Sequence, residues 1–176
     1  MQIKFQSVMK SGNEGLRKLV KKGGELMLKA YLHPQPLVVA CTGHAVAGGA
    51  LLLFVGDVKL GIEGNFKIGL NEVAIGIRLP VFAYGLAQMG LSKRHLTRAT
   101  LLSELYDPIG AIDCGYLDRV CAPEALRGTA LAEAKRLAQY PSEVFIAAKN
   151  LARGEFVEKT LSHHDKDCSS MVIPST

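Results

Sequence analysis

Two features of the chain have the residue types and surroundings that chemistry needs: a carboxylate among apolar residues and a glycine-rich turn. Glu72 stands in Ile68-Gly69-Leu70-Asn71-Glu72-Val73-Ala74-Ile75-Gly76-Ile77. Withdrawing a carboxylate from water disfavours its charged form and raises its pKa, the condition for an acid/base that moves protons near neutral pH. Glu72 also reads as a surface carboxylate on a turn after Gly69, and both readings stand at this point. The turn is Thr42-Gly43-His44-Ala45-Val46-Ala47-Gly48-Gly49-Ala50, between the apolar runs Pro36–Cys41 and Leu51–Val55. Small residues between a buried strand and a buried helix let backbone approach a ligand, and the first N–H groups of a helix point outward without partners. Such a turn holds a phosphate or an oxyanion that develops during reaction. No Lys-Ser/Thr follows the last glycine and no G-x-G-x-x-G is present, so neither phosphate fingerprint is met. The oxyanion hole is the better reading.

Other polar residues carry less. His44 has no serine or cysteine partner in a triad-like context and reads as a hydrogen-bonded structural histidine. His163 and His164 lack metal-ligand spacing. Glu104 is a possible second carboxylate, or a surface residue at a helix end. The four cysteines, Cys41, Cys114, Cys121 and Cys168, form no C-x-x-C pair and read as buried small residues in a reducing compartment.

The elements that must position these groups follow from periodicity. Ser11 and Glu14 have the spacing of a capping box, and an amphipathic helix follows to Tyr31, weakened midway by Gly23-Gly24 and ended by Pro34 and Pro36. The pattern then predicts a strand over 37–41, a buried helix over about 48–56, a strand over 58–62 and short apolar pieces over 66–77. Pro80 at a helix N1 position begins a helix to Met89, and further helices span 92–104 and the run from Asp107-Pro108 to Gly115. A strand at Tyr116–Val120 and helices over 122–138 and 141–153 complete the pattern, while 162–176 lose it. Strands alternating with helices predict an α/β fold with a largely parallel sheet.

Composition narrows the class. A chain of 176 residues that is 48% hydrophobic and 21% charged is long enough for one domain with a real core. The net charge of +5 is mild and concentrates at Arg17-Lys18 and Lys21-Lys22, without tryptophan to stack bases. It reads as a solvated helix face rather than a nucleic-acid surface, although a basic rim also suits a phosphate-rich small ligand. No apolar run approaches the ~20 residues of a membrane span and no secretory signal is present, so no membrane partner and a cytoplasmic or organelle-matrix location are expected.

The order of the strand, G-H-A-V-A-G-G-A, D-V-K-L-G, F-K-I-G-L-N-E-V-x-x-G-I-x-x-P, D-P-I-G-A-I-D-C-G-Y-L-D-R-V and a final P-S-E-V-F-I-A-A-K resembles the crotonase (enoyl-CoA hydratase/isomerase) superfamily. The match runs from about residue 8 to residue 153 and is carried by several motifs in order. The resemblance implies a ββα spiral, here N-terminally shortened, that binds acyl-CoA thioesters, with coenzyme A as part of the substrate and no separate cofactor or metal. It places one of two oxyanion N–H donors at Gly48, the catalytic carboxyl at Glu72, and substrate contacts at Ala47, Gly49, Leu51, Ile75 and Gly76. It also implies a homotrimer or dimer of trimers. On this basis residues 1–121 form the spiral core, 122–161 a helical oligomerisation region and 162–176 a flexible tail.

Two departures from the family pattern shape the expected activity. Hydratases of this family carry a glutamate where this chain has Leu51, and hydration needs one group to activate water and another to deliver a proton. Moving a double bond from position 3 to position 2 needs a single base, and the I-G-L-N-E wording is similar to mitochondrial-type Δ3,Δ2-enoyl-CoA isomerases. The A-G-x-D-L motif of the loop that gives the first oxyanion donor is absent, and Met1–Phe5 fall where that loop ends. The expected activity is therefore enoyl-CoA isomerisation. The alternatives are a non-catalytic acyl-CoA-binding or oligomer-modulating relative, and a hydratase.

Overall fold

The computed structural model describes residues 12–173; Ser11 of the expected capping box and Gln6–Lys10 lie outside them. Three parallel strands, β1 (Val38–Cys41), β3 (Val58–Ile62) and β5 (Arg119–Cys121), form one sheet in the order β1-β3-β5. Val38 pairs with Val58, and Leu60 with Arg119. Among the described residues β1 and β5 are its edges. A second parallel pair joins β2 (Ala45–Val46) to β4 (Ile68–Gly69).

Helices fill the connections, as parallel strands require. They are α1 (Gly12–Tyr31), α2 (Gly48–Leu53), α3 (Val81–Gly90), α4 (Leu96–Thr100), α5 (Pro108–Cys114), α6 (Leu126–Leu137) and α7 (Ser142–Ser169). Helix α6 packs on β1 and β3, while α7 packs against α1 and α3. Leu28, Leu53, Ile68, Leu70, Leu86 and Tyr116 are central to the main core. Helix α5 begins and ends where its sequence says. The Asp107 carboxylate accepts from the Gly110 N–H at 2.6 Å, Pro108 opens the helix, and Gly115 closes it at φ 105°.

Four elements differ from expectation, each for a local reason. Helix α1 runs unbroken through Gly23-Gly24, and a Cβ at Gly24 would stand 2.4 Å from the His164 ring and 2.9 Å from Phe82, so this glycine permits close helix packing. The helix expected over 92–104 is only α4, and the left-handed backbone of Ser103 (φ 54°) prevents its continuation into the following loop. The strand after Gly115 starts at Arg119, since Tyr116 and Leu117 are spent in the core. Pro80 caps α3 from outside as an extended residue rather than opening it.

The expectation of a flexible tail from residue 162 is corrected. Helix α7 runs on to Ser169, and His164, Cys168 and Met171 are buried. Apolar periodicity hides this because the buried face carries Thr160, His164 and Cys168. Their polar atoms are matched within the protein: Thr160 donates to the Phe156 carbonyl at 2.7 Å on the same helix, and the His164 Nε2 lies 2.9 Å from the Lys21 carbonyl on α1. Beyond the helix, Met171 packs with Leu16 and Ile77 as a second, smaller core.

Candidate active site

The short β2–β4 pair builds the site. The Ala45 N–H donates to the Lys67 carbonyl and the Ala47 N–H to the Gly69 carbonyl, each at 3.0 Å. These bonds hold the glycine-rich turn beside the segment that carries Glu72. Ala47 has φ 54° and ψ −124°, a backbone that a side chain rarely adopts. That turn leads straight into α2, whose first carbonyl bonds run from the N–H groups of Ala50 and Leu51 to the Ala47 carbonyl. Among the described residues nothing accepts from the N–H of Gly48 or Gly49.

The two glycines differ from most others in the chain. At Gly56, Gly61, Gly85 and Gly90 a Cβ would collide with Val39, Leu117, Phe156 and Phe54, so packing explains the missing side chain. At Gly48 and Gly49 a Cβ would meet nothing within 4 Å, and both residues are exposed. Exposed backbone whose N–H groups lack acceptors can donate to an approaching carbonyl oxygen.

Glu72 is buried, at 8% exposure, which removes the surface-turn reading. Among the described residues its Oε2 has no hydrogen-bond partner. Burial pushes its carboxyl above the usual carboxylate range, and bonds from the backbone N–H groups of Glu72 and Asn71 offset part of that rise. The residue opens a 3₁₀ turn over Val73–Ile75 without capping it by its own side chain. Gly76, left-handed at φ 73°, ends the turn, and the Ile77 N–H returns to the Glu72 carbonyl at 2.8 Å.

Around Glu72 the interior is unusually polar. Among the described residues Asn71 Oδ1, His95 Nδ1 and the hydroxyls of Tyr106 and Tyr116 are buried without hydrogen-bond partners. Tyr116 packs between Phe54 and Tyr106, at 5.1 and 6.1 Å between ring centroids. Burial pushes its phenol far up, and the Glu72 charge adds to the rise. Cys114 is pushed up to about 11, mainly by burial, which makes it an inert thiol rather than a nucleophile.

The other sequence candidates fall into place. Leu51 is buried in the core next to Ala50, while Ile75 and Gly76 are exposed on the turn after Glu72. His44 is structural: its Nδ1 accepts from the Lys67 N–H at 3.0 Å, and its ring stands edge-on to Phe66. Glu104 is held in an ion pair by Arg98 and is not a free second carboxylate. Among the described residues no group of three or more His, Cys, Asp or Glu could hold a metal ion, and no helix is long and apolar enough to cross a membrane. Sequence reading missed Ser103, whose hydroxyl accepts from the Ala74 N–H at 3.0 Å, and the buried Tyr106–Tyr116 pair. Nothing in their sequence surroundings marks them; only the fold brings them near Glu72.

Comparison with known proteins gives consistent matches. Mitochondrial enoyl-CoA delta isomerase 1 of Homo sapiens is 28% identical over 149 residues, which cover 84% of this chain and 49% of that protein. A putative enoyl-CoA hydratase of Thermus thermophilus is 31% identical over 114 residues, 65% of this chain and 43% of that protein. The chain thus spans about half the length of the curated relatives it matches, 49–50% for the isomerases. Among solved structures, an enoyl-CoA hydratase/isomerase family protein from Pseudomonas syringae has a TM-score of 0.91 at 36% identity, covering 95% of this chain and 73% of that one. Human mitochondrial delta3-delta2-enoyl-CoA isomerase has a TM-score of 0.83 at 26% identity, covering 89% and 61%. The architecture is therefore the crotonase-like α/β fold. The family model for enoyl-CoA hydratase/isomerase matches residues 5–169, and the chain belongs to that family of the crotonase superfamily.

Proposed function

We propose that the chain moves the double bond of a 3-enoyl-CoA to the 2 position, with Glu72 as the single acid/base. The observation that carries this reading is one buried carboxyl whose Oε2 has no partner among the described residues, on a segment paired with the turn that bears two N–H groups without acceptors, while the other candidate carboxylate, Glu104, is tied to Arg98. The Glu72 carboxylate takes a proton from C2 of the acyl chain. The electron pair moves through the thioester carbonyl onto its oxygen, which lies against the Gly48 N–H. Glu72, now neutral, returns the proton to C4, and the electron pair closes the conjugated double bond. Its raised pKa matches both roles: the acid form persists long enough to donate, and the base is not too weak to accept.

Loss of one oxyanion donor typically costs ~10²–10³ in rate, so the Gly48 contact supplies a few kcal/mol of the catalysis. Ala47, Gly49, Ile75 and Gly76 line the approach of the thioester, and Leu51 forms an apolar wall that keeps water from the dienolate. Coenzyme A arrives as part of the substrate and no further cofactor takes part. The chain acts in the cytoplasm or an organelle matrix. It assembles as a homotrimer or dimer of trimers, supported by exposed apolar side chains in its C-terminal half such as Ile109, Val144 and Leu151.

A hydratase reading draws on the Thermus relative's name and on the family description. An assay of 3-enoyl-CoA, read by the appearance of the conjugated 2-enoyl thioester, decides between them. Conversion of 3-enoyl-CoA with slow or no hydration of 2-enoyl-CoA supports the isomerase. Rapid hydration overturns it, and binding of acyl-CoA without either reaction assigns the chain to a non-catalytic role.

A further inference from the structure

Two non-glycine residues have left-handed backbones among the described residues, Ala47 and Ser103. Strained backbone of this kind persists only where the surroundings impose it, and it concentrates at functional sites. Ala47 turns the chain into the glycines of the oxyanion site. Ser103, in the loop between α4 and α5, accepts from the Ala74 N–H two residues beyond Glu72.

That loop is fastened at several points. Its Glu104 N–H donates to the Arg98 carbonyl at 3.0 Å, and the Arg98 and Glu104 side chains pair. Tyr106 forms an antiparallel bridge with Ile68, with the two backbone bonds each 2.9 Å. The close approach is paid for at Gly69, where a Cβ would stand 2.9 Å from the Glu104 carbonyl. The segment carrying Glu72 is therefore gripped at Ile68 by Tyr106 and, six residues on, at Ala74 by the Ser103 hydroxyl.

The second grip has a specific purpose. Glu72 stands at the N-cap of the turn Val73–Ile75, where a side chain ordinarily accepts from an N–H of the first turn. Its carboxyl makes no such bond and is buried instead. Ser103 Oγ accepts from Ala74, the second residue of that turn, and so occupies the role that the Glu72 side chain has left.

We propose that Ser103 is a positioning residue for Glu72: held in a left-handed backbone, it caps the turn after Glu72 in place of the Glu72 carboxyl, which stays free to face the reacting atoms. The proposal rests on the reading of Glu72 as the acid/base. Ser103→Gly is the discriminating variant, because glycine accepts the backbone without strain and removes the side chain that carries the hydroxyl. Ser103→Asn is the rescue, since asparagine tolerates the left-handed region and offers a carbonyl acceptor.

The test combines amide hydrogen exchange, thermal melting and steady-state kinetics on the full chain. In Ser103→Gly the Ala74 amide is expected to exchange at least tenfold faster than in the parent, with exchange of core amides such as Leu60 unchanged and a melting temperature no lower. The kcat for isomerisation is expected to fall about tenfold with KM within twofold, and Ser103→Asn to recover most of the loss. A residue that merely completes a loop predicts parental kcat and KM in Ser103→Gly even where the Ala74 amide exchanges faster, and that result overturns the proposal. If the parent chain does not turn over, the isomerase reading fails by itself. The Ser103 tie is then decided by Ala74 exchange together with a ¹³C titration of the Glu72 carboxyl. Faster exchange with a pKa closer to that of ordinary carboxylates upholds it, and no change in either overturns it.

Discussion

The Ala47 N–H donates to the Gly69 carbonyl at 3.0 Å, and this bond joins the two halves of the proposed active site. One residue beyond Ala47 the chain presents the free N–H of Gly48, and three residues beyond Gly69 it presents the buried carboxyl of Glu72. Because β2 and β4 are parallel, both chains leave the pair in the same direction, so the donor and the base emerge on one side. Neither strand exceeds two residues, and the geometry depends on few bonds.

Replacing Glu72 with Gln keeps its shape and removes the base. Isomerisation is expected to fall by about 10³-fold or more, in the range typical of general acid–base groups. Acyl-CoA affinity, measured by calorimetry, is expected to change less than threefold. Parental turnover by Glu72→Gln would remove Glu72 from the mechanism.

The raised pKa of Glu72 also has a stability signature. A carboxyl that holds its proton more tightly when folded costs nothing below the ordinary carboxylate pKa. The cost grows as pH rises from there through the raised folded value, because the folded state must then carry a buried charge. Glu72→Gln is therefore expected to match the parent in urea denaturation at low pH and to become progressively more stable than it towards neutral pH. In the parent, kcat/KM falls as pH drops through the same raised pKa, since the base of the free protein must be ionised to begin the reaction.

At Gly49 a Cβ meets nothing within 4 Å, and the residue lies in the first turn of α2. Gly49→Ala is expected to keep or raise stability, by up to about 1 kcal/mol from helix propensity. If the thioester docks over this turn, the added methyl group intrudes on it, and kcat/KM falls at least tenfold. Unimpaired activity would place the substrate elsewhere.

Asp57 anchors α7 to the sheet. Its carboxylate lies 2.7 Å from Lys149 Nζ and 2.9 Å from Arg153 Nη1, and it accepts from the Leu37 N–H at 2.8 Å. The Lys149 side chain is only 4% exposed, so losing its partner strands a buried charge. Asp57→Ala is expected to destabilise by about 3–5 kcal/mol in urea denaturation, and replacing Lys149 with Met in the same chain to recover part of the loss.

Asp167 reaches back from the last turns of α7 to the start of α3. It accepts from the Val81 N–H at 2.8 Å and pairs with Arg78 at 2.9 Å. Pro80 offers no side-chain cap, so Asp167 supplies one from a distance. Asp167→Ala is expected to cost about 1–2 kcal/mol in thermal or chemical unfolding. A chain ended after Leu161 is expected to lose far more, because it also removes His164, Cys168 and Met171 from the interior.

The sequence by itself determined the class and the two reactive features. Val38–Cys41 and Val58–Ile62 read as strands because their apolar runs are short and β-branched, and Asp107-Pro108 with Gly115 fixed α5 because caps act over a few bonds. The G-H-A-V-A-G-G-A turn and the I-G-L-N-E segment pointed to an oxyanion donor and a carboxyl, since backbone approach and an apolar neighbourhood are local properties. Tertiary structure decided whether those features meet. That Glu72 is buried rather than exposed depends on residues such as Tyr116, 44 positions away in the chain. That Ser103 caps its turn depends on a loop pinned by Ile68 and Tyr106. The end of α7 was illegible for a related reason: its buried face is polar and matched by Lys21 on another helix, so hydrophobic periodicity had nothing to report. Burial and long-range hydrogen bonding are set by which surfaces pack together, and a residue's immediate neighbours in sequence do not contain that information.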